Sequence, residues 1–166
     1  PHIHLNPRNI ERVARALTDT LIAVDAGNSN RYVEARDDFL ARWSAARAGW
    51  DARGRALHGM RLAAHTASFS YLAAWLKLDI VGTLESKPGI PPSGAQLSAL
   101  LERLEPTPPV AVIRTPYENE KPSHWLSQRL DIPDLVLPFT VGGDEAATDL
   151  FSLFDQTMNM LETLQP

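Results

Sequence analysis

The chain carries five histidines, and one of them is placed where ligands gather. In Arg61-Leu-Ala-Ala-His65-Thr-Ala-Ser-Phe-Ser-Tyr-Leu-Ala-Ala-Trp75 a short apolar run ends at His65. A small polar segment follows, and Phe69, Leu72, Trp75 and Leu76 then recur at helical spacing. The pattern predicts a strand that stops at His65, a turn, and a helix starting near Ser68. Ligands in open α/β sheets collect just beyond the carboxyl ends of the strands, so His65 is placed like a site residue. Position alone leaves a second reading open, a histidine hydrogen-bonded into the loop as a spacer. His2 and His4 sit in Pro1-His2-Ile3-His4-Leu5, and alternation in an extended segment would point both imidazoles to one side. His58, in the break between Gly54 and Gly59, reads as a solvated turn residue. The chain has no cysteine, which removes disulfides, thiolate metal sites and cysteine nucleophiles together. A metal site must therefore be built from His, Asp, Glu or water.

The elements that would position these groups fall into two parts. Asn6-Pro7 offers an N-cap followed by proline at the first helical position. Ile10, Val13, Ala14, Leu17, Leu21 and Val24 then share one face of an amphipathic helix that ends at Asp25-Ala-Gly27-Asn28. A second helix is expected from about Ser29 to Ala52. Its stripe of Tyr32, Ala35, Phe39, Trp43, Ala46 and Trp50 has helical spacing, which makes core packing the better reading than an aromatic platform for a ligand.

From Met60 onward the pattern becomes strand, helix, strand, helix. Strands are expected at Leu62 to Ala64, Asp79 to Leu84 and Val110 to Ile113. A last strand is read from Leu135-Val-Leu137 and Phe139-Thr-Val141, with Pro138 inside it marking an edge or a bend. Helices are expected at Ser68 to Leu78, after the Ser93/Gln96 capping box, near Pro122, and after Gly142-Gly143. Alternating strands and helices with short connections imply an α/β fold, a mostly parallel four-stranded sheet flanked by helices and preceded by a long connector helix.

Composition narrows the function classes. The chain has 166 residues, 44% of them apolar and 22% charged, as expected of an ordinary soluble globular protein. Its apolar runs are only a few residues long, against roughly 20 needed to cross a bilayer. Net charge is −4 and the basic residues are scattered among acidic ones, which argues against nucleic acid and mildly for a cation or neutral ligand. The opening Pro1-His-Ile-His4, without an initiator methionine or a signal-like segment, reads as a piece or a processed product of a longer chain.

Several of these segments resemble one family in order. Pro1-His2-Ile3-His4-Leu5-Asn6-Pro7 resembles the Pro-His-x-Trp-Leu-Asp-Pro segment of the zinc and manganese solute-binding proteins that serve bacterial ABC importers. Glu85-Ser-Lys-Pro-Gly-Ile-Pro-Pro-Ser93 resembles their Pro-Gly-x-x-Pro-Ser loop. The His65 segment, the long aromatic-bearing helix before it, and the closing Leu137-Pro138-Phe139-Thr140-Val141-Gly142-Gly143 also match. The resemblance implies the C-terminal part of a two-lobed metal-binding protein. Residues 1–27 would be a remnant of the N-terminal lobe, 28–54 the rigid connector helix that limits opening, and 55–166 the C-terminal α/β lobe.

By the same resemblance His2 and His65 take the positions of metal ligands, with a further histidine supplied from the other lobe. Where many members have an aspartate ligand in a Leu-Asp-Pro segment, this chain reads Leu137-Pro138-Phe139. Asp144, expected in the first turn of the last helix, is the replacement candidate, or else only a favourable charge at that helix's start. His4 stands where an aromatic is usual and either packs or adds a nitrogen. Glu85, at the end of a neighbouring strand, either holds the Pro-Gly loop or supports a histidine from behind. Imidazole-rich sites suit Zn²⁺, whereas Mn²⁺ prefers more oxygen. The expected cargo is Zn²⁺, alternatively Mn²⁺. The expected protein is not an enzyme but a monomeric periplasmic or surface-anchored receptor delivering the metal to an ABC transporter's membrane permease. Two other classes stay open: a zinc-dependent hydrolase with His2 and His65 on the metal, which lacks a His-Glu-x-x-His motif, and a metal-free interaction module.

Overall fold

The structure, a computed structural model, describes every residue except 1, 86, 88 and 166. Parts of the Pro-His segment and of the Pro-Gly loop therefore lie outside the described residues. Helix α1 (Pro7–Val24) begins as its sequence requires, with the Asn6 side chain accepting from the Arg8 N–H and proline in the first turn. A short 3-10 turn leads into α2 (Ser29–Gly54), the long helix. Four strands follow, β1 (Arg61–Ala64), β2 (Asp79–Thr83), β3 (Ala111–Arg114) and β4 (Asp134–Val136). Between and after them come α3 (Ser70–Leu76), α4 (Gly94–Leu104), α5 (Glu120–Leu130) and α6 (Leu150–Glu162).

The strands form one sheet in the order β2-β1-β3-β4, and each neighbouring pair is parallel. Alternation along β1 and β3 divides the interior in two. Leu62, Ala64, Ala111 and Ile113 join a core with α2, α3 and α6, whereas Ala63 and Val112 face Leu100, Leu104, Leu126 and Leu130 of α4 and α5. The part of the α2 stripe from Phe39 to Trp50 is core, as its spacing predicts, whereas half-buried Tyr32 and exposed Ala35 at its start lie outside it. Trp43 is fully buried, stacked on Phe39 and edge-on to Trp50, Phe151 and Phe154. Its indole N–H reaches the Pro7 carbonyl at 2.9 Å, pinning α2 to α1.

Three expectations need correction. The last strand stops at Val136: Leu137 still donates to the Arg114 carbonyl, but the next donor in register would be residue 116 on the β3 side, and Pro116 has no N–H, so residues 139–141 leave the sheet. The final helix does not follow Gly142-Gly143. It starts at Leu150, where Asp149 and Ser152 cap each other. The helix after His65 is shorter than predicted, preceded by a 3-10 turn at Ala67–Phe69 and ended by Lys77 in the left-handed conformation. Among the described residues no helix is long and apolar enough to cross a membrane.

Candidate metal site

The chain runs from β1 outward to β2 on one side and then returns to β3 on the other side of β1. The loops leaving β1 and β3 therefore part in opposite directions, and the crevice they open at the strands' carboxyl ends is the switch point at which such sheets bind ligands. His65 is the first residue past β1. Its N–H donates to the Ile113 carbonyl of β3 at 2.8 Å, and its own carbonyl accepts from Glu85 N–H at 2.9 Å. The backbone is thus held from both sides.

The imidazole of His65 is only 1% exposed. Its Nε2 lies 3.3 Å from Glu85 Oε1. A carboxylate accepts, so Nε2 carries the proton and Nδ1 carries the lone pair. That Nδ1 is buried and has no partner among the described residues. The other carboxylate oxygen of Glu85 accepts from the Gly89 N–H at 3.0 Å, where Gly89 holds a φ of 78° that favours glycine. Glu85 consequently joins both roles considered for it, holding the loop and orienting the histidine.

The second group of imidazoles is delivered by the Ile3–Leu5 3-10 turn, anchored by buried Leu5 and by Asn9, whose side-chain amide donates to the Ile3 carbonyl. His2 and His4 flank Phe139, with ring centroids 4.7 and 5.5 Å from its ring. His4 Nε2 donates to the Phe139 carbonyl at 2.9 Å, which engages one of its two nitrogens in fixing the segment. Phe139 in turn packs edge-on against Phe69, four residues past His65. The residue read as part of a strand is in fact the wedge between the two histidine segments. Burial lowers the pKa of His2, His4 adds to the shift, and the negative charge of Glu118 opposes it.

Glu118 carries no role in the sequence reading. It lies in the loop after β3, where its Oε2 accepts from the Thr115 N–H at 2.7 Å and its Oε1 from the Thr66 hydroxyl at 2.9 Å. The strand-end rule that selects His65 would have selected this loop too. Asp144, contrary to expectation, is not in the first turn of the last helix. It sits in the preceding turn, where its carboxylate accepts from the Ala146 N–H at 2.8 Å. His58 is exposed, as read. Phe139 touches the rings of His2, His4 and Phe69, and Glu118 accepts from Thr66, the residue next to His65. Among the described residues no three His, Asp or Glu side chains stand together as a ready-made cation site.

A four-stranded parallel sheet in the order β2-β1-β3-β4, covered by helices on both faces, defines an α/β lobe with its switch point between β1 and β3. The chain belongs to the family described as zinc-uptake complex component A, periplasmic (ZnuA), whose model matches residues 1–164. In fold it is similar to a crystal structure of ZnuA, with a TM-score of 0.79, 20% identity, and coverage of 97% of this chain and 62% of that one. It is also similar to a periplasmic metal-binding protein from Candidatus Liberibacter asiaticus. The Cd-bound form aligns with a TM-score of 0.80 at 12% identity, covering 99% of this chain and 64% of that one. The Mn-bound form aligns with a TM-score of 0.80 at 12% identity, covering 99% and 63%. The chain thus spans a little over three fifths of the length of these structures. No curated protein matches it in sequence.

Proposed function

We propose that this chain binds a divalent cation as cargo, Zn²⁺ foremost, with His65 and His2 as nitrogen ligands, and that it serves as the receptor of an ABC importer in the periplasm or at the cell surface. The observation that carries the reading is the Nδ1 of His65, a buried nitrogen without a partner among the described residues, which in the neutral ring carries the lone pair. Leaving such a group unsatisfied costs about 1–3 kcal/mol. A cation held at about 2.0 to 2.1 Å would satisfy it, with Glu85 behind the ring fixing its tautomer and raising its basicity. Family membership supports a binding role rather than catalysis. Nitrogen donors favour Zn²⁺ over Mn²⁺, although the Liberibacter protein has been seen with Cd and with Mn.

In this reading residues 28–54 form the rigid connector and 55–166 the lobe, while His4 positions the His2 segment and Asp144 stays in its turn. Isothermal titration with Zn²⁺ tests it. His65→Ala should weaken binding at least about tenfold, equivalent to about 1.4 kcal/mol, and His65→Gln, which fills the same buried space, should do the same with the fold intact by circular dichroism. Wild-type affinity in both variants refutes the assignment.

A further inference from the structure

We propose that Glu118 is the positioning residue of this crevice, a fixed negative charge that bridges the β1 and β3 loops and strengthens cation capture without ligating the ion. The inference rests on the metal-binding reading above. Glu118 spans the switch point: it leaves the β3 side, and one of its oxygens takes the hydroxyl proton of Thr66, the residue next to His65. Its other oxygen is fixed by the Thr115 N–H, so the carboxylate is oriented by two bonds before any ligand arrives. Thr66 is itself 5% exposed, and its hydroxyl also lies 2.7 Å from Ser68 Oγ and accepts from the Ser68 N–H at 3.2 Å. The tie therefore sets the turn on which His65 is mounted.

A carboxylate held beside the turn that carries His65 attracts a divalent ion there with twice the force it exerts on a single charge. With both oxygens engaged by the protein, and no cluster of three ligand-type side chains among the described residues, the role that fits Glu118 is electrostatic and orienting rather than coordinating. Carboxylates behind metal-binding groups commonly change affinity about 10- to 100-fold when removed.

The test is Zn²⁺ titration of the chain and of Glu118→Gln and Glu118→Asp at low and high ionic strength. Glu118→Gln, which keeps one acceptor and loses the charge, is expected to bind Zn²⁺ about tenfold or more weakly at low salt. The gap should narrow as salt screens the field. Glu118→Asp keeps the charge on a shorter arm and is expected within about threefold of wild type. Should Glu118→Gln fail to fold, Glu118→Asp decides alone, and a tenfold loss there with the fold intact overturns the proposal. So does a Glu118→Gln variant that binds like wild type, or a deficit indifferent to salt. If His65→Ala abolishes binding while Glu118→Gln leaves it unchanged, this inference fails and the metal-binding reading stands. If the wild-type chain binds no Zn²⁺, both fail.

Discussion

His65 is the residue at which sequence and structure meet most closely. A strand-end position next to a polar turn was enough to single it out, because the short apolar run of β1 and the helical spacing after it fix where the chain must turn. Its partner was legible only as one of two alternatives, Glu85 holding the Pro-Gly loop or supporting a histidine, because the contact spans 20 residues of sequence. Glu118 went unread for a similar reason: nothing local announces that its carboxylate will cross to Thr66. The imidazoles also set a pH dependence. Metal binding needs them neutral, and burial holds the pKa of His2 below the usual 6.5, so protons compete for His2 only at lower pH than for a free imidazole. Zn²⁺ affinity is therefore expected to hold from pH 8 down to about 6.5 and to fall below it, by up to about tenfold per pH unit for each ligating imidazole. The lowered value also means that the unfolded chain takes this proton more readily, so His2 costs the fold stability as pH drops through 6.5. Zn²⁺ titrations between pH 5 and 8 check the first statement, and a decline already complete by pH 7 would contradict it.

At the scale of elements, packing decided what periodicity could not. Helical spacing identified α2 and its buried stripe, and the caps of α1 and α4 were readable from Asn6-Pro7 and from Ser93 with Gln96. The end of the chain was misread where two competing signals overlap. Apolar residues on both sides of Pro138 look like a strand, yet β3 offers Pro116 where the next donor should stand, so the ladder ends and Phe139 turns its ring towards His2 and His4. Gly142-Gly143 looks like a helix start, but the reciprocal caps that a start needs stand at Asp149 and Ser152. Among the residues that join α2 to the rest, Trp43 is fully buried, touches rings of α2 and α6, and holds α1 through Pro7. Trp43→Ala is expected to cost about 3–5 kcal/mol. Trp43→Phe, which keeps most of the ring and loses the bond to Pro7, should cost about 1–3 kcal/mol. Urea denaturation followed by circular dichroism measures both, and a loss under about 1 kcal/mol for the alanine variant would show that α2 does not depend on this contact.

For the whole molecule, the notable feature is an apolar face on α1. The sequence places Val13, Leu17 and Val24 on the apolar side of α1, where an amphipathic helix normally meets a core. Ile10 does so, but Leu17 is 56% exposed and Val24 77%. With Phe39 and Leu150, Val13 and Leu17 line an open groove of about 350 Å³ between α1 and α2. Periodicity could show that α1 has an apolar face but not what, if anything, covers it. Single exposed apolar side chains are ordinary on protein surfaces, whereas a contiguous stripe makes a protein sticky. Because Leu17 contributes little to the core, Leu17→Glu should change stability by no more than about 0.5 kcal/mol, as is usual for surface substitutions. The same substitution breaks the stripe with a charge, so the variant should bind less of a hydrophobic dye such as anilinonaphthalene sulfonate and should resist aggregation at higher concentration than the wild-type chain. Paired thermal melts and dye titrations decide the matter. Loss of more than about 2 kcal/mol would mean that α1 is held through this face after all, and unchanged dye binding would place the molecule's accessible apolar surface elsewhere.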